Sequence, residues 1–435
     1  MPASGFDASY YAASAHSQPR FPPLQGAIQA DVCIIGAGYT GLSAALHLAE
    51  KGHQVVVLEA AKVAQGASGR NGGQVCVGLN LSQSELEQQL GSEHARQLWN
   101  LSLEAVQLVK DLIARQHIDC DLKQGILHTA FKPSHVGRMQ RETEHLQQAY
   151  GYDGVRFVPG DELHSMLGTD RYHGAQLFGE AVHLHPLNYA LGLCAAAVQR
   201  GVRIFEDSRV LEYSNGYSPG SQTADGIRVQ TPQGSVRAGA LVLACNGYLG
   251  KLEPRIAGKI MPINNFIVAT EPLDAGLAHS LIRDDVAVAD SKFVVNYFRL
   301  TGDRRLLFGG GENYSSRFPA DIPGFVRRHL LQVYPQLANT RIDYAWGGTL
   351  AITRNRMPFF RRLDNNLYVA QGYSGHGIAL ATLGGKLISD AISGSPQGFD
   401  TFARIPTAGF PGGTLLRWPA LVAGMLYYQL RDRLS

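Results

Sequence analysis

The sequence predicts a mixed α/β fold, α+β overall, in which a dinucleotide-binding domain is interleaved with a domain built on an antiparallel sheet. Three observations lead to this prediction. A βαβ pattern with closely spaced glycines occupies residues 31–60, alternating apolar strands fill residues 263–311, and a strand–glycine–helix pattern returns at residues 366–394. The first and third patterns both combine a strand, a glycine turn and a helix, whereas the second contains only alternating strands. We therefore expect the dinucleotide-binding domain to be discontinuous.

The predicted dinucleotide-binding domain comprises residues 27–88, 183–252 and 345–435, and the predicted substrate domain comprises residues 89–182 and 253–344. The chain has 435 residues, of which 45% are hydrophobic, which is enough for two cores. Residues 1–26 have neither the basic start nor the apolar core of a secretory signal. We expect them to form an arm on the surface.

The βαβ unit carries the first candidate site. Gly36, Gly38 and Gly41 follow an apolar run and fill the pattern G-x-G-x-x-G, whose glycines permit a tight turn, a close approach to a pyrophosphate and close helix–strand packing. The N-terminus of the following helix would face the phosphates. Glu59 ends the second strand, where a carboxylate accepts hydrogen bonds from ribose hydroxyls and repels a 2′-phosphate. This unit alone leaves NAD and FAD open.

The segment that follows, GASGRNGGQV at residues 66–75, favours FAD. In a nicotinamide dehydrogenase an ordinary crossover would be expected here. Gly69, Gly72 and Gly73 would instead let main-chain N–H groups approach a flat ring with polar edges, and the Arg70–Asn71 pair adds polar side chains.

A second glycine segment, GYSGHG at residues 372–377, lies between a strand and a helix. It is not the nucleophile elbow of a hydrolase, because His376 stands where G-x-S-x-G requires glycine. The positive end of the helix would point at the N1–C2=O edge of a flavin, where negative charge collects on reduction. His376 itself could contact the flavin or lie on the surface.

These segments, with ACNGYLG at residues 244–250, LLFGGGE at 306–312 and HLHPLN at 183–188, resemble the D-amino-acid-oxidase-type FAD amine oxidoreductases. Within that family the chain is most similar to the γ-glutamylputrescine oxidase-like branch, which also includes L-pipecolate oxidases. The resemblance spans nearly the whole chain. It implies a Rossmann-like FAD-binding domain interleaved with a substrate domain on an antiparallel sheet.

The resemblance and the motifs together predict a set of FAD contacts. These are Gly36, Gly38, Tyr39, Thr40, Gly41, Glu59, Ala60, Ser68, Arg70, Asn71, Gly72, Gly73, Gln74, Val210, Asn246, Gly247, Gly372, Tyr373, Ser374, Gly375, His376, Gly377 and Ile378. The residue that matches Val210 contacts adenine through its backbone in the family. Relatives that attach flavin through histidine do so in a loop equivalent to residues 66–73, where this chain has Arg70. We therefore expect a dissociable FAD.

The implied reaction is oxidation of an amine C–N bond. Flavin accepts a hydride from the carbon beside an uncharged nitrogen, water hydrolyses the resulting imine, and dioxygen reoxidises the flavin. No obligate base is needed. The candidate catalytic residues are Tyr297, Trp346, His376 and Lys259, and the candidate substrate contacts are Phe266, Tyr297, Arg299, Arg305, Arg354 and Arg356.

The reasons for these candidates differ. Tyr297 lies on a hairpin about Thr301, Gly302 and Asp303, where its polar tip could orient a substrate beside the flavin. The charge of Lys259 could promote oxygen reduction, and the arginines could bind a carboxylate bidentately. Closeness of resemblance favours γ-glutamylputrescine or a related polyamine derivative. L-Pipecolate, or another secondary or ordinary amino acid, is the alternative.

The composition excludes several partners. The net charge of +3 comes from mixed charges without a basic run, so nucleic acid is not expected. The five cysteines are scattered without C-x-x-C spacing, which argues against disulfides and zinc and favours a reducing cytoplasm. His183 and His185 lack further ligands, so no metal is predicted. The expected partners are a small-molecule amine and O2.

The uncharged run of residues 418–430 is shorter than the ~20 residues that span a bilayer. We expect either a helix packed on the protein or a monotopic contact with the membrane. The second alternative would make the protein a quinone-linked flavin dehydrogenase.

Overall fold

The computed structural model of the chain describes residues 8–16, 18–215, 226–313, 318–414 and 419. Its helices are α1 (Tyr10–Ser14), α2 (Tyr39–Glu50), α3 (Gln83–Leu90), α4 (Ser92–Arg115), α5 (Pro133–Tyr150), α6 (Gly160–Met166), α7 (Pro186–Gln199), α8 (Pro254–Ala257), α9 (Ala275–Leu281), α10 (Ile322–Val333), α11 (Gly377–Ile392) and α12 (Gln397–Ala403). Its strands are β1 (Gly26–Ile35), β2 (Val55–Leu58), β3 (Gln74–Val75), β4 (Lys123–Thr129), β5 (Val155–Pro159), β6 (Gly174–His183), β7 (Arg203–Phe205), β8 (Glu212–Asn215), β9 (Ile227–Gln230), β10 (Gly234–Leu243), β11 (Met261–Thr270), β12 (Ala287–Asp290), β13 (Tyr297–Leu300), β14 (Leu306–Asn313), β15 (Ile342–Ile352), β16 (Phe359–Asp364) and β17 (Leu367–Gln371).

The first sheet confirms the predicted βαβ unit. Its strands run in the order β16-β17-β10-β1-β2-β7, with β9 paired to β10 and β8 to β9. β1 pairs in parallel with β2 and β10, and β17 pairs in parallel with β10. Helices α2 and α11 pack so closely that a Cβ on Gly385 would be 2.5 Å from the Thr40 carbonyl oxygen. The first and last segments of the chain therefore share one Rossmann-like domain.

The second sheet has the order β15-β11-β14-β13-β12-β4-β6-β3, with β5 paired to β6. It is antiparallel except for the β4–β12 pair. The predicted hairpin is present, with Leu300 opposite Leu306, and the predicted alternation holds: Phe298 stacks on Phe308 in the core, whereas Tyr297 is half-buried on the other face. The predicted domain limit at residue 345 falls inside β15 of this sheet.

The helices between the sheets follow the sequence with two differences. The sequence predicts one helical stretch near residues 86–117, and the structure has two helices there, α3 and α4, separated at Gly91 with φ +84°. Strand β5 was not predicted. The sequence also predicts a helix start at Pro186, where a missing N–H costs nothing, and α7 begins at that residue. Of the uncharged run, residue 418 and residues 420–430 lie outside the described residues. None of the described helices combines the length and the apolar composition that a membrane span requires.

The expectation of a surface arm at the N-terminus is wrong for residues 9–11, which are buried, whereas the other described residues up to 26, apart from Leu24, are exposed or half-buried. Tyr11 of α1 is 0% exposed. The Tyr11 ring packs edge-on against Trp346 and His185, at centroid distances of 5.2 and 4.9 Å. Ser9 caps the helix by accepting from the backbone of Ala12. The segment lacks a long apolar run, so burial of its aromatic residues was not evident in the sequence.

His185 joins α1 to α7. Its Nδ1 accepts from the backbone N–H of Asn188 at 3.1 Å, which makes it the N-cap of α7. Nε2 lies 3.0 Å from Ser14 Oγ. Because Nδ1 accepts, the ring proton is on Nε2 and the ring is neutral. Burial lowers the pKa of His185 to about 3. No metal-binding cluster occurs among the described residues.

We expect His185 to make the protein less stable in acid. Between the ordinary pKa of 6.5 and the folded value of about 3, the unfolded chain binds a proton at this ring that the folded chain does not. Stability therefore falls as pH falls through that range. Replacing His185→Asn keeps an N-cap acceptor and removes the titration. The difference in thermal midpoint between about pH 7.5 and about pH 5 should be smaller in this variant than in the parent, and an unchanged difference would contradict the assignment.

Candidate functional site

The turn after β1 is packed so closely that side chains are excluded at two of its glycines. A Cβ on Gly36, which has φ +108°, would lie 2.7 Å from the Ala244 carbonyl oxygen. A Cβ on Gly41 would lie 1.9 Å from the Gly36 carbonyl oxygen. Gly38 is the N-cap of α2. The turn therefore has the exposed main chain and close packing that a pyrophosphate site requires.

Glu59 follows β2, and its carboxylate lies beside this turn. Oε2 accepts from the N–H of Ala37 at 2.8 Å, and Oε1 accepts from that of Ala61 at 3.0 Å. Burial raises the pKa of Glu59, and the backbone N–H groups oppose the shift. The position suits the ribose contact expected of Glu59 and its neighbour Ala60, which stays a prediction.

The segment from Gly66 to Gly73 is shaped by side chains that bind its main chain. The Tyr39 hydroxyl donates to the Ser68 carbonyl at 2.7 Å, and the Tyr39 N–H donates to Ser68 Oγ at 3.0 Å. Asn71 Nδ2 donates to the same carbonyl, and Asn71 Oδ1 accepts from the N–H of Gly73 at 2.9 Å. Tyr39 and Asn71, predicted as FAD contacts, thus act on the conformation of the segment.

Arg70 ties this segment to the second sheet. Its guanidinium donates to the carbonyl of Gln65 at 2.7 Å and to that of Gly347 in β15 at 2.9 Å. The indole N–H of Trp346, which is fully buried, donates to the Arg70 carbonyl at 3.0 Å. Trp346, predicted as a catalytic residue, is therefore a positioning residue for the segment.

Arg299 was predicted as a substrate contact, and the structure corrects this. Its side chain is 1% exposed and donates to the carbonyls of Gly72 at 3.0 Å, Leu184 at 2.8 Å and Leu300 at 3.3 Å. A Cβ on Gly73, which has φ +79°, would lie 2.2 Å from the Leu184 carbonyl oxygen. Arg299 is thus a structural residue that holds the glycine segment against the start of α7.

The second glycine segment, residues 372–377, meets the first turn at the carboxyl edge of the first sheet. Thr40 Oγ1 lies 2.6 Å from the Tyr373 hydroxyl, and both side chains are buried. Asn246, which has φ +46°, accepts from the N–H of Gly372 at 3.1 Å. Thr40, Tyr373 and Asn246 therefore connect the predicted FAD segments.

The remaining predicted FAD contacts lie along the same edge or beside it. Gln74 donates to the carbonyl of Val288 in β12 at 2.9 Å, and Val210 packs at the margin of the first-sheet core. The others are in the segments after β10 and β17 and in the first turn of α11: Gly247, Ser374, Gly375, Gly377 and Ile378. Their contacts with FAD stay predictions.

His376 is the N-cap of α11 and faces two residues that the sequence analysis missed. Asn80 donates to the carbonyls of Tyr373 and Arg356, each at 3.1 Å, and its Oδ1 lies 3.4 Å from His376 Nδ1. His128 of β4 is close enough for its pKa to respond to His376. Burial lowers the pKa of both histidines to about 4, so both are neutral at pH 7. His376 Nε2 is buried and has no hydrogen-bond partner in the part of the chain that the structure describes.

Tyr297 lies in β13 of the second sheet, next to the glycine segment of the first domain. Its ring packs on two glycines: a Cβ on Gly72 would lie 2.7 Å from the ring, and a Cβ on Gly309 would lie 2.1 Å from it. Its hydroxyl donates to Asn265 Oδ1 at 2.5 Å. Asn265, unlike its neighbour Phe266, was not predicted; nothing but its polarity within an apolar strand marked it.

Two further substrate contacts predicted from the sequence are wrong. Phe266 is 0% exposed and packs edge-on against Phe325 in the second core. Arg305 forms ion pairs with Asp303 at 2.7 Å and Asp343 at 2.6 Å. Both assignments failed because residue type alone does not show which neighbours a side chain contacts in the fold.

The three remaining candidates, Lys259, Arg354 and Arg356, differ in their exposure and in the groups that they contact. Lys259 is half-buried, and its ammonium donates to the Thr407 carbonyl at 2.7 Å. Arg354 is exposed. Arg356 is half-buried, has φ +60°, and holds its guanidinium 4.2 Å from the centroid of the Phe293 ring. Of the four predicted arginine contacts, Arg356 is the one joined through Asn80 to His376.

The helix ends at this edge fit a bound dinucleotide. Neither α2 nor α11 is capped by the side chain of its own N-cap residue, and in α2 the Tyr39 N–H donates to Ser68 Oγ instead. The N–H groups in the first turn of a helix bind phosphates and other negatively charged groups. His376 Nε2 adds a buried polar atom at the second of these ends. Comparison with known proteins agrees: a family model described as FAD dependent oxidoreductase matches residues 31–391.

The chain belongs to this family of FAD-dependent oxidoreductases. It is 41% identical over 428 residues to the gamma-glutamylputrescine oxidoreductase of Escherichia coli (strain K12), with 98% of each chain covered. It is 38% identical to the probable oxidoreductase OrdL of Haemophilus influenzae, covering 98% of this chain and 97% of the relative. Glycine oxidase from Geobacillus kaustophilus has the same fold, with a TM-score of 0.71 at 20% identity over 84% of this chain and 95% of that one.

The protein is therefore an FAD-dependent amine or amino-acid oxidoreductase, and FAD is its cofactor. The glycine turn at residues 36–41, the segment 66–73 and the N-terminus of α11 are the parts of the structure that would hold it. When bound, FAD supplies the acceptor for the two electrons of the oxidised C–N bond.

We expect the substitution Gly309→Ala to displace Tyr297. Gly309 does not have a positive φ, so the effect is steric, because the new Cβ would lie 2.1 Å from the Tyr297 ring. Stability should fall by about 1–3 kcal/mol, and flavin reduction by substrate should slow on the order of tenfold or more. Rapid-mixing absorbance at saturating FAD measures the rate.

The matched control is Gly137→Ala in α5, where the new Cβ would approach nothing closer than Arg141 at 3.4 Å. This control should react at the parental rate. A parental rate for Gly309→Ala would mean that the position of the Tyr297 ring does not matter for the reaction.

Proposed function

We propose that the protein oxidises γ-glutamylputrescine or a related polyamine derivative, transferring a hydride to FAD and giving an imine that is hydrolysed, with reoxidation by O2 and release of H2O2. The observation that supports this most directly is the 41% identity over 98% of both chains to an enzyme with that substrate in its name. The position of Arg356 gives a physical reason for it.

Arg356 supplies a positive charge beside a neutral interior. Its guanidinium lies over Phe293, and the preceding Lys292 holds its ammonium 4.4 Å from the Phe131 ring. Both cations are half-buried, whereas His376 and His128 are neutral at pH 7. An amine substrate with a distant carboxylate, such as a γ-glutamyl amine, could place the carboxylate at Arg356 and the amine further in.

The residues of this chain have three tasks in the reaction. Tyr297 and Asn265 orient the amine next to the segment Gly72–Gly73 through groups already held by a mutual hydrogen bond. The neighbouring cations disfavour an ammonium ion and so favour the uncharged amine. The uncapped N-terminus of α11 stabilises negative charge at its end. None of these tasks requires a titrating base.

We also propose that FAD is held without a covalent bond. The segment 66–73 contains no Cys or His, and Arg70 takes the place expected of an attached histidine while its guanidinium binds main-chain carbonyls. Acid denaturation should therefore leave the flavin in the supernatant. Flavin that stays on the precipitated protein would show that the proposal is wrong.

The substrate is tested by anaerobic bleaching of the visible flavin band. The purified protein and the variant Arg356→Met are mixed with γ-glutamylputrescine, putrescine, L-pipecolate, sarcosine and a D-amino acid in turn. We expect the parent to bleach fastest with γ-glutamylputrescine. The variant should lose on the order of tenfold or more in kcat/KM for γ-glutamylputrescine and much less for putrescine, which has no carboxylate.

Arg354→Met, which changes an exposed neighbour, is the matched control and should behave as the parent. Faster bleaching with L-pipecolate or sarcosine would show that the proposed substrate is wrong, while the proposed oxidation of a C–N bond by FAD would stand. Return of the yellow colour on admitting air identifies O2 as the acceptor. Persistent bleaching in air that a soluble quinone reverses would support the quinone-linked alternative instead.

A further inference from the structure

The N-terminal helix α1 lies across the boundary between the two domains, directly behind the segment that we assign to the flavin. We propose that Tyr11 of this helix is a positioning residue for the flavin site, acting through the side chains that hold the two ends of the segment Arg70–Gly73. The inference rests on the proposed placement of FAD against that segment. It assigns a role in the reaction to residues outside the matched family region, which begins at residue 31.

The first path runs through Trp346. The rings of Tyr11 and Trp346 are both 0% exposed and meet at 5.2 Å with an interplanar angle of 67°, which is an edge-to-face contact. The indole N–H then donates to the Arg70 carbonyl. A rotation of the indole would break this bond and leave both a buried donor and a buried acceptor unpaired. Tyr11 therefore limits the orientation of Trp346.

The second path runs through Arg299. This side chain donates to the carbonyls of Gly72 and Leu184, and Tyr11 packs on His185, the residue after Leu184. Burial raises the pKa of Tyr11, while the nearby charge of Arg299 opposes the shift. The Tyr11 hydroxyl is buried beside Arg299, but no hydrogen bond of good geometry joins it to the described residues. The Tyr11 ring makes the packing contacts with Trp346 and His185.

Helix α1 is itself fixed to both domains. The Tyr10 hydroxyl donates to Asp303 of the β13–β14 hairpin at 2.8 Å. Ser14 contacts His185 at 3.0 Å, and the N–H of His16 donates to Asn188 of α7 at 3.2 Å. These bonds hold Tyr11 in place from either side of the boundary.

The test compares Tyr11→Ala, Tyr11→Phe and Tyr368→Ala in the full chain. Tyr368 is also buried, at 4% exposure, but lies near the start of β17 and packs on Phe399. We expect Tyr11→Ala to weaken FAD binding on the order of tenfold or more and to change the shape of the visible flavin band. Tyr11→Phe should keep the parental FAD affinity and the parental shape of the flavin band. Tyr368→Ala should lower the thermal midpoint without altering either.

Trp346→Phe separates this inference from the placement of FAD. If that variant changes the flavin spectrum and Tyr11→Ala does not, the placement holds and the role of Tyr11 is refuted. If neither changes it, the placement itself is wrong. If Tyr368→Ala changes the flavin spectrum as much as Tyr11→Ala does, the effect of Tyr11 is one of general packing, and its role as a positioning residue is refuted. Should Tyr11→Ala fail to accumulate, Tyr11→Leu keeps apolar volume without an aromatic edge, and a parental spectrum would refute the proposal.

Discussion

The arrangement of the site depends on two buried guanidinium groups that donate to main-chain carbonyls across the domain boundary. Arg70, from the first domain, binds the carbonyl of Gly347 in the second sheet, and Arg299, from the second sheet, binds those of Gly72 and Leu184. A buried cation is tolerated where its donors are satisfied. Separating the domains would leave both cations without these acceptors, so the distance between the two sheets is tightly constrained.

That constraint explains the distribution of glycine at the boundary. With the sheets held at this distance, the space between the segment 66–73 and the hairpin is filled by the Tyr297 ring, and no Cβ fits at Gly72 or Gly309. Gly73 needs its positive φ to bring its main chain against Leu184. Side chains therefore fix the conformation of the segment, while its glycines leave main chain available to a ligand.

Local features were predictable from the sequence, and long-range pairings were not. The glycine turn, Glu59, the hairpin and the start of α7 at Pro186 each depend on neighbouring residues, and the structure has all of them. Arg299 was assigned to a carboxylate because its type suits one, whereas its carbonyl partner Gly72 lies 227 positions away. The burial of Tyr11 likewise depends on partners contributed by distant strands and helices, which hydrophobic periodicity does not reveal.

The charges around His128, His376 and Arg356 follow from burial, and they would determine which end of the proposed substrate enters first. Burial keeps His128 and His376 neutral at pH 7, so positive charge on this side comes from half-buried side chains such as Arg356. A carboxylate is stabilised at such a cation, and an amine further inside is stabilised when it is uncharged. A molecule with both groups would therefore enter with its amine leading. Because hydride transfer needs the uncharged amine, the same charge distribution that orients the substrate also selects its reactive form.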